Sequence, residues 1–201
     1  QREISAMGSV FRRKRKISVK SEAGTDVEFL TCDRWILEDT GICNRPGQIA
    51  NLPAGKVFVL PKEGSMNGSI VIDGSWEGEM LEEPLTLQVE GGVVTGVSGG
   101  EIAEEISAVF DVAGLGLRSS KRDLVWTVAE FGFGMNPKAT ELGRTKVEDL
   151  VVRGSSYFGF GDNTHIGGNA RVGIHLRGSL VDPEVSLDGS VIVSGGKIST
   201  R

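Results

Sequence analysis

The sequence predicts a mainly β domain with one or two helices (α+β), built as a barrel- or sandwich-like arrangement of many short antiparallel strands. Glycine supplies 29 of the 201 residues, roughly twice its usual share. Hydrophobic residues make up 39% of the chain, enough for a chain of this length to bury a core. Short apolar runs recur with glycine turns between them, a pattern typical of sandwiches and barrels.

The strands are predicted from apolar–polar alternation and from short apolar runs. Two hairpins stand out: residues 17–29 turn at Gly24, and residues 85–97 turn at Gly91-Gly92. A tight turn at Asp188-Gly189 joins the last two strands. Residues 32–51 are predicted to be irregular. The remaining predicted strands are residues 57–60, 69–75, 125–131, 156–160, 172–176, 184–187 and 190–193.

One helix is predicted over residues 101–112. Ile102, Ile106 and Phe110 recur there at helical spacing, and glutamates in the first turns suit the helix dipole. A weaker helical stretch covers residues 145–150. Residues 1–15 are expected to be a basic linker or the end of a missing upstream domain, and residues 16–201 to be the β-rich domain.

Charge and composition exclude several classes of protein. A net charge of −5 argues against a nucleic-acid-binding domain, and the sequence has no apolar run long enough to span a membrane. Cys32 and Cys43 are too few for a disulfide scaffold and too far apart for a paired metal motif. We therefore expect a cytoplasmic protein, with no nucleic-acid or membrane partner.

Chemistry is indicated at only a few positions. His165 and His175 are the only histidines, and strand alternation places His175 on the face opposite Ile174 and Leu176. Glu130 interrupts an apolar strand, where a carboxylate is costly to bury without a partner. Taken alone, Glu130 fits a site or an ordinary solvent-facing position equally well, whereas a single histidine on a strand is more often structural or solvated than a ligand. No standard hydrolase or nucleotide-binding motif is present.

Several phrases occur together in a set order, and they resemble the C-terminal domain of the aminopeptidase T family of thermophilic, leucyl-aminopeptidase-like metallopeptidases. The same superfamily includes an iron-dependent dihydroxypyridine ring-cleaving dioxygenase. The resemblance runs from about Lys16 to Ile198. The phrases lie at residues 24–26, 51–58, 130–137, 159–163 and 174–176.

The resemblance implies a pair of divalent metal ions held by carboxylates and histidines. Glu130 and His175 match two ligand positions of the family. Three other ligand positions are replaced, since the family's glutamate, histidine and aspartate stand here as Lys56, Tyr157 and Arg177. The metal site is therefore expected to be degenerate.

Two interpretations of these replacements remain open. In the one we favour, Lys56 and Arg177 replace the metals as counter-ions to Glu130, because two fixed cations beside a divalent ion disfavour it. In the other, both cations turn outward, and Glu130 and His175, with His165 or Asp162, hold a single metal ion.

The resemblance gives three expectations for function. The main one is a metal-dependent aminopeptidase-like hydrolase acting on short peptides, with zinc, cobalt, manganese or iron if the site is functional and no cofactor otherwise. The alternatives are a non-hydrolytic member, similar to the iron-dependent ring-cleaving dioxygenase, or a metal-free binding or assembly module. A short peptide or another small molecule is the expected substrate. We also expect a homo-oligomer, since exposed strands can pair with a partner subunit.

Overall fold

A computed structural model describes residues 1–12 and 16–200, without the side chains of residues 32–35. These described residues form two α-helices, fourteen strands and three short 3₁₀ turns. The helices are α1 (Arg2–Phe11) and α2 (Gly100–Leu115), and the 3₁₀ turns are Ser119–Trp126, Asp149–Val151 and Thr164–Ile166. The strands are β1 (Lys16–Lys20), β2 (Asp26–Asp39), β3 (Lys56–Pro61), β4 (Asn67–Ile72), β5 (Ser75–Trp76), β6 (Glu79–Met80), β7 (Leu85–Glu90), β8 (Val93–Ser98), β9 (Val128–Gly134), β10 (Ser156–Gly161), β11 (His175–Leu180), β12 (Glu184–Leu187), β13 (Ser190–Ser194) and β14 (Lys197–Ile198).

The long strand β2 joins the two halves of the β structure. On one side the order is β14-β13-β12-β1-β2, and β4, β7 and β8 continue from the first part of β2. On the other side the order is β2-β3-β9-β10-β11-β5-β6. The strand pairs in both halves are antiparallel, which confirms the predicted mainly β class with attached helices.

Most predicted elements are present, and four predictions of local structure need correction. Residues 32–39 continue β2 and are not irregular. The strand predicted over 125–131 begins only at Val128, because a 3₁₀ turn precedes it. The strand predicted over 172–176 begins at His175. The weak helix predicted over 145–150 is reduced to the 3₁₀ turn Asp149–Val151.

Helix α1 lies where the sequence analysis placed a linker or the end of another domain. Its buried residues Ile4, Met7 and Phe11 are spaced for one face of a helix, and the Phe11 ring stacks on Phe133 at 5.7 Å. The helix is therefore part of the same hydrophobic core as the strands. Residues 13–15, the middle of the basic run, lie outside the described residues.

No helix among the described residues is both long enough and apolar enough to cross a membrane.

One face of β9 and β10 contributes to a hydrophobic core that extends to β1, β4, β7, β12 and α2. Phe131, Phe133, Phe158 and Phe160 alternate with glycine along these strands and are each no more than 1% exposed. Phe131 contacts Phe158 at 5.0 Å, and helix α1 and β2 supply further aromatic rings. Since successive residues of a strand point to opposite faces, the glycines and Glu130 lie on the other face.

Candidate metal centre

Strand register brings the predicted site residues to one face of four adjacent strands. Glu130 of β9 pairs with Gly159 of β10, and Gly159 pairs in turn with Arg177 of β11. Cross-strand partners share a face of the sheet, so the side chains of Glu130 and Arg177 flank a glycine with none. The residues of this site face are Lys56 and Phe58 of β3, Glu130 and Gly132 of β9, Tyr157 and Gly159 of β10, and His175 and Arg177 of β11.

Glu130 is the centre of the cluster, and its two carboxylate oxygens have different surroundings. The side chain is 1% exposed. The Tyr157 hydroxyl donates a hydrogen bond of 2.6 Å to Oε1. Oε2 lies 3.4 Å from His175 Nε2 and 3.7 Å from His165 Nε2. One oxygen is therefore held by a proton donor, while the other faces two imidazoles.

His175 is oriented by the backbone of the loop that follows β10. Its Nδ1 lies 2.6 Å from the carbonyl oxygen of Asp162, and because a carbonyl only accepts, Nδ1 must carry the proton. In the neutral ring, Nε2 then presents a lone pair toward Glu130. Nε2 is buried and has no hydrogen-bond partner among the described residues. Two acceptors 3.4 Å apart need a proton or a cation between or beside them, and Arg177 Nη2, which lies 3.4 Å from Oε2, is one such cation.

His165 completes the cluster from the 3₁₀ turn Thr164–Ile166. Its ring meets that of His175 edge-on, with 4.9 Å between the ring centroids. One ligand atom each from Glu130, His165 and His175 lies within 4.8 Å of the others. The His165 side chain is 47% exposed, whereas Glu130 is closed off from solvent. His165 therefore forms the solvent-facing side of the cluster.

The Asp162 carboxylate, which the sequence analysis gave as an additional ligand, holds the loop together. It accepts hydrogen bonds from the backbone N–H of Thr164, Val172 and Gly173, and from the Thr164 hydroxyl. Burial works to raise the pKa of Asp162, but these hydrogen bonds outweigh burial and hold the pKa well below its usual range. Asp162 contributes to the site through its backbone carbonyl.

Two glycines make room for the cluster. A Cβ on Gly159 would lie 2.9 Å from His175 Nε2 and 3.1 Å from Glu130 Cβ. A Cβ on Gly132 would lie 2.6 Å from the Tyr157 hydroxyl oxygen. The alternation of phenylalanine and glycine thus has one physical cause on each face: phenylalanine fills the core, and glycine lets functional side chains approach each other across the strands.

Lys56 and Arg177 both stay with the cluster, so the expectation that both turn outward is wrong. Arg177 Nη2 lies 3.4 Å from Glu130 Oε2. Lys56 is 7% exposed, and its Nζ lies 5.5 Å from the centroid of the Tyr157 ring and 4.9 Å from that of Phe58. The two replacements therefore bring positive charge to the site itself.

These charges decide the protonation of Glu130. Burial alone raises the pKa of this carboxyl. The adjacent His165 and His175 lower it, and the positive charges of Arg177 and Lys56 lower it further. Together they hold the pKa of Glu130 well below its usual range, so the side chain is a carboxylate at neutral pH. Burial and the Glu130 charge in turn raise the pKa of Tyr157 well above its usual range.

The three ligand atoms match the donor set of a single divalent transition-metal ion, although the positive charges of Lys56 and Arg177 act against its binding. Two neutral imidazoles and one carboxylate, with further positions open, are a ligand set suited to iron or zinc. The unpartnered Nε2 of His175 and the Oε2 of Glu130 are the atoms that such an ion would satisfy. Glu130, His165 and His175 are therefore the residues that could hold it.

Sequence reasoning had included every member of this cluster but had not separated their roles. His165 was only an additional candidate, because nothing in the local pattern shows that the loop folds back over β9. Tyr157 was counted as a lost ligand, whereas its hydroxyl holds Glu130. The Phe-Gly alternation was the available signal for the positions of His165 and Tyr157, since its glycines mark the strands on which other side chains approach the backbone closely.

The family model and the curated relative agree on one family. The family model described as NicX, 2,5-dihydroxypyridine 5,6-dioxygenase, matches residues 1–200. The 2,5-dihydroxypyridine 5,6-dioxygenase of Pseudomonas putida KT2440 is 25% identical over 213 residues, covering 98% of this chain and 58% of that protein. The chain thus spans less than two thirds of the length of this curated relative.

Two solved structures share the fold. The structure of 2,5-dihydroxypyridine dioxygenase from Pseudomonas putida KT2440 matches with a TM-score of 0.88 at 23% identity, over 100% of this chain and 59% of that one. AmpT from Thermus thermophilus matches with a TM-score of 0.69 at 15% identity, over 98% of this chain and 52% of that one. The expected resemblance to the aminopeptidase fold is confirmed, but the family is corrected from aminopeptidase to dioxygenase.

Proposed function

The chain belongs to the 2,5-dihydroxypyridine 5,6-dioxygenase family, and we propose that it carries the metal-binding site of an iron-dependent dioxygenase that opens a hydroxylated aromatic ring. The observation that carries the proposal is the convergence of Glu130, His165 and His175, whose ligand atoms lie within 4.8 Å of one another. This was the alternative expectation from the sequence; the hydrolase expectation receives no support from the family match.

The ligand set is the one that iron oxygenases use. Two histidines and one carboxylate on one side of a ferrous ion leave the remaining positions open for substrate and O₂. Iron in such a site supplies the redox chemistry that allows O₂ to react with an organic ring. A hydrolytic two-metal site needs more carboxylates than the described cluster offers. Lys56 and Arg177 occupy two positions at which the resemblance to the aminopeptidases implies carboxylate ligands.

The residues around the three ligands keep them in position. The Tyr157 hydroxyl binds Glu130 Oε1 and leaves Oε2 directed at the imidazoles. The Asp162 carbonyl keeps the proton of His175 on Nδ1 and so leaves Nε2 as a ligand atom. Because both contacts are made by buried or backbone atoms, the orientation is set before any ligand arrives.

Metal content and oxygen consumption test the proposal together. We expect protein reconstituted anaerobically with Fe²⁺ to hold about one iron per chain, and to consume O₂ when 2,5-dihydroxypyridine or a related hydroxylated ring is added. Glu130→Gln and His175→Ala are expected to lose at least about tenfold in iron affinity, as ligand removal does. Glu104→Gln, on the exposed side of α2, is the matched control and retains both properties.

The result that overturns the proposal is a folded protein that binds no iron under these conditions. Such a protein would support the metal-free interpretation, in which Arg177 and Lys56 neutralise Glu130. Iron that binds equally well in Glu130→Gln would also contradict the proposal, because the metal would then lie elsewhere.

A further inference from the structure

Lys56 and Arg177 are the two features of the site that the proposed metal chemistry does not use. Each projects from the site face, Lys56 from β3 and Arg177 from β11, on opposite sides of β9 and β10. They flank the buried pair of Glu130 and Tyr157. Two cations on opposite sides of the candidate metal ligands need negatively charged partners.

Lys56 forms no direct ion pair with a carboxylate in the described part of the chain. Its ammonium contacts the faces of Tyr157 and Phe58, and no described carboxylate lies within 4.0 Å of it. The side chain is more than nine-tenths buried. Burial lowers the pKa of Lys56, while Glu130 and Asp39 act in the opposite direction. A lysine that is 7% exposed and has no direct counter-ion is favoured by a ligand that brings negative charge.

Arg177 is also incompletely satisfied. Its Nη2 lies 3.4 Å from Glu130 Oε2, but its Nε is buried and has no hydrogen-bond partner among the described residues. Glu77 accepts a hydrogen bond from the Arg177 backbone N–H, and its second oxygen lies 3.8 Å from Lys146 Nζ. The guanidinium therefore keeps donors available for a planar anion such as a carboxylate.

The summed charge of the site also favours an anionic ligand. Glu130 and Asp39, the cross-strand partner of Lys56, carry two negative charges, which balance the two positive charges of Lys56 and Arg177. A divalent ion bound at the cluster brings the sum of these charges to +2. A ligand with one negative charge lowers the sum to +1, in a place where water contributes little screening.

We propose that the site binds a substrate bearing a permanent negative charge, a carboxylate on a hydroxylated aromatic ring, that Arg177 binds this carboxylate beside the metal ligands, and that Lys56 attracts it through its positive charge. The proposal rests on the proposed function and narrows its substrate class. The exposed edge of His165 is the side from which the ring would enter. Lys56 and Arg177 act here as specificity-determining residues.

A matched pair of ligands tests the proposal by binding alone. We would titrate the Zn²⁺-loaded protein, which does not turn over, with 2,5-dihydroxybenzoate and with 1,4-dihydroxybenzene, its analogue without the carboxylate. Calorimetry is expected to show at least about tenfold tighter binding of the carboxylate. Arg177→Met is expected to lose about that factor for the carboxylate and at most about twofold for the neutral ring, whereas Lys56→Met, which removes a charge but no direct contact, is expected to lose a smaller factor for the carboxylate.

Two exposed residues supply the controls. Lys62→Met and Arg118→Met remove the same charges away from the site and are expected to leave both affinities unchanged. If Lys56→Met does not fold, Arg177→Met carries the test, since its side chain is partly exposed. The charge-reversing Arg177→Asp is expected to bind Zn²⁺ more tightly and to lose its preference for the carboxylate.

The failures of the two proposals can be told apart. Equal affinity for the two ligands in metal-loaded wild-type protein overturns this inference while the metal site stands. A protein that takes up no metal fails the proposed function, and titrating that protein with the same two ligands still tests the cation pair. Preference for the carboxylate that persists in both variants would assign it to other residues and contradict the proposal.

Discussion

The two faces of β9 and β10 are built from the same short sequence pattern, yet they do opposite things. On the core face, Phe131 and Phe158 pack ring against ring with 5.0 Å between their centroids. On the site face, Gly132 and Gly159 leave the space that Tyr157 and His175 occupy. One face stabilises the fold by filling space, and the other makes chemistry possible by leaving it open.

The difference between the two faces predicts which property a substitution on each face will change. A change on the core face removes buried apolar area and should lower the free energy of unfolding. A change on the site face should alter metal binding first, because the side chains there are held by a few directed contacts.

Phe158→Ala is expected to lower the free energy of unfolding by about 3–5 kcal/mol, since Phe158 is fully buried and the cavity cannot be filled by its neighbours. Urea denaturation of the metal-free protein measures this. Val109→Ala, at a half-exposed position on α2, is the control and should change the free energy of unfolding by no more than about 0.5 kcal/mol. A similar loss in both variants would mean that burial of Phe158 does not stabilise the fold.

Gly159→Ala tests the site face. The added Cβ would come within 2.9 Å of His175 Nε2 and 3.1 Å of Glu130 Cβ, so the two ligands must move apart. We expect iron affinity to fall about 10- to 100-fold, as it does when the residues that orient metal ligands are changed. The free energy of unfolding should change less than in Phe158→Ala.

Gly96→Ala is the matched control for that variant. Its Cβ would meet only the flexible side chain of Gln88, at 3.8 Å, and its φ is not in the left-handed region. Unchanged iron affinity in Gly96→Ala and in Gly159→Ala alike would show that the close approach of His175 to β10 has no role in metal binding.

The same division explains how much the sequence could predict. Alternation and glycine turns located the strands of the hairpins, the Phe-Gly strands and helix α2, because these patterns follow from local geometry. The sequence also contained all three residues of the cluster. It could not predict that the turn at Thr164–Ile166 brings His165 to Glu130, since that depends on the Asp162 hydrogen bonds and on β11 pairing beyond β10.

Helix α1 shows where the local sequence pattern was not sufficient to predict the structure. Ile4, Met7 and Phe11 have helical spacing, but the adjacent basic run suggested a linker, and only the Phe133 surface on which Phe11 stacks explains why the helix forms there. Helices of this length are marginal in water without such packing. Packing against β9 therefore determines the structure of a segment whose local sequence pattern is ambiguous.

Asp162→Asn tests the loop that orients His175. The folded-state pKa of Asp162 is held below its ordinary value, so its contribution to stability is present above that value and is lost as the pH falls through the lowered pKa. The stability difference between wild-type protein and Asp162→Asn should therefore be largest at neutral pH and shrink below about pH 4. Thermal melts across this range measure it, and a difference independent of pH would contradict the role given to the carboxylate.

Glu3→Gln has the smallest expected effect and tests whether α1 is held to the core face by packing or by charge. Arg153 donates hydrogen bonds of 2.6 and 3.1 Å to the Glu3 carboxylate and, through these contacts, lowers its pKa. Both side chains are partly exposed, so solvent screening limits the pair to about 0.5 kcal/mol or less in the free energy of unfolding. Phe11→Ala is the comparison, because it removes the ring that stacks on Phe133, and it should cost about 3 kcal/mol or more. A larger loss from Glu3→Gln than from Phe11→Ala would show that an ion pair, and not the aromatic face of β9, fixes the helix.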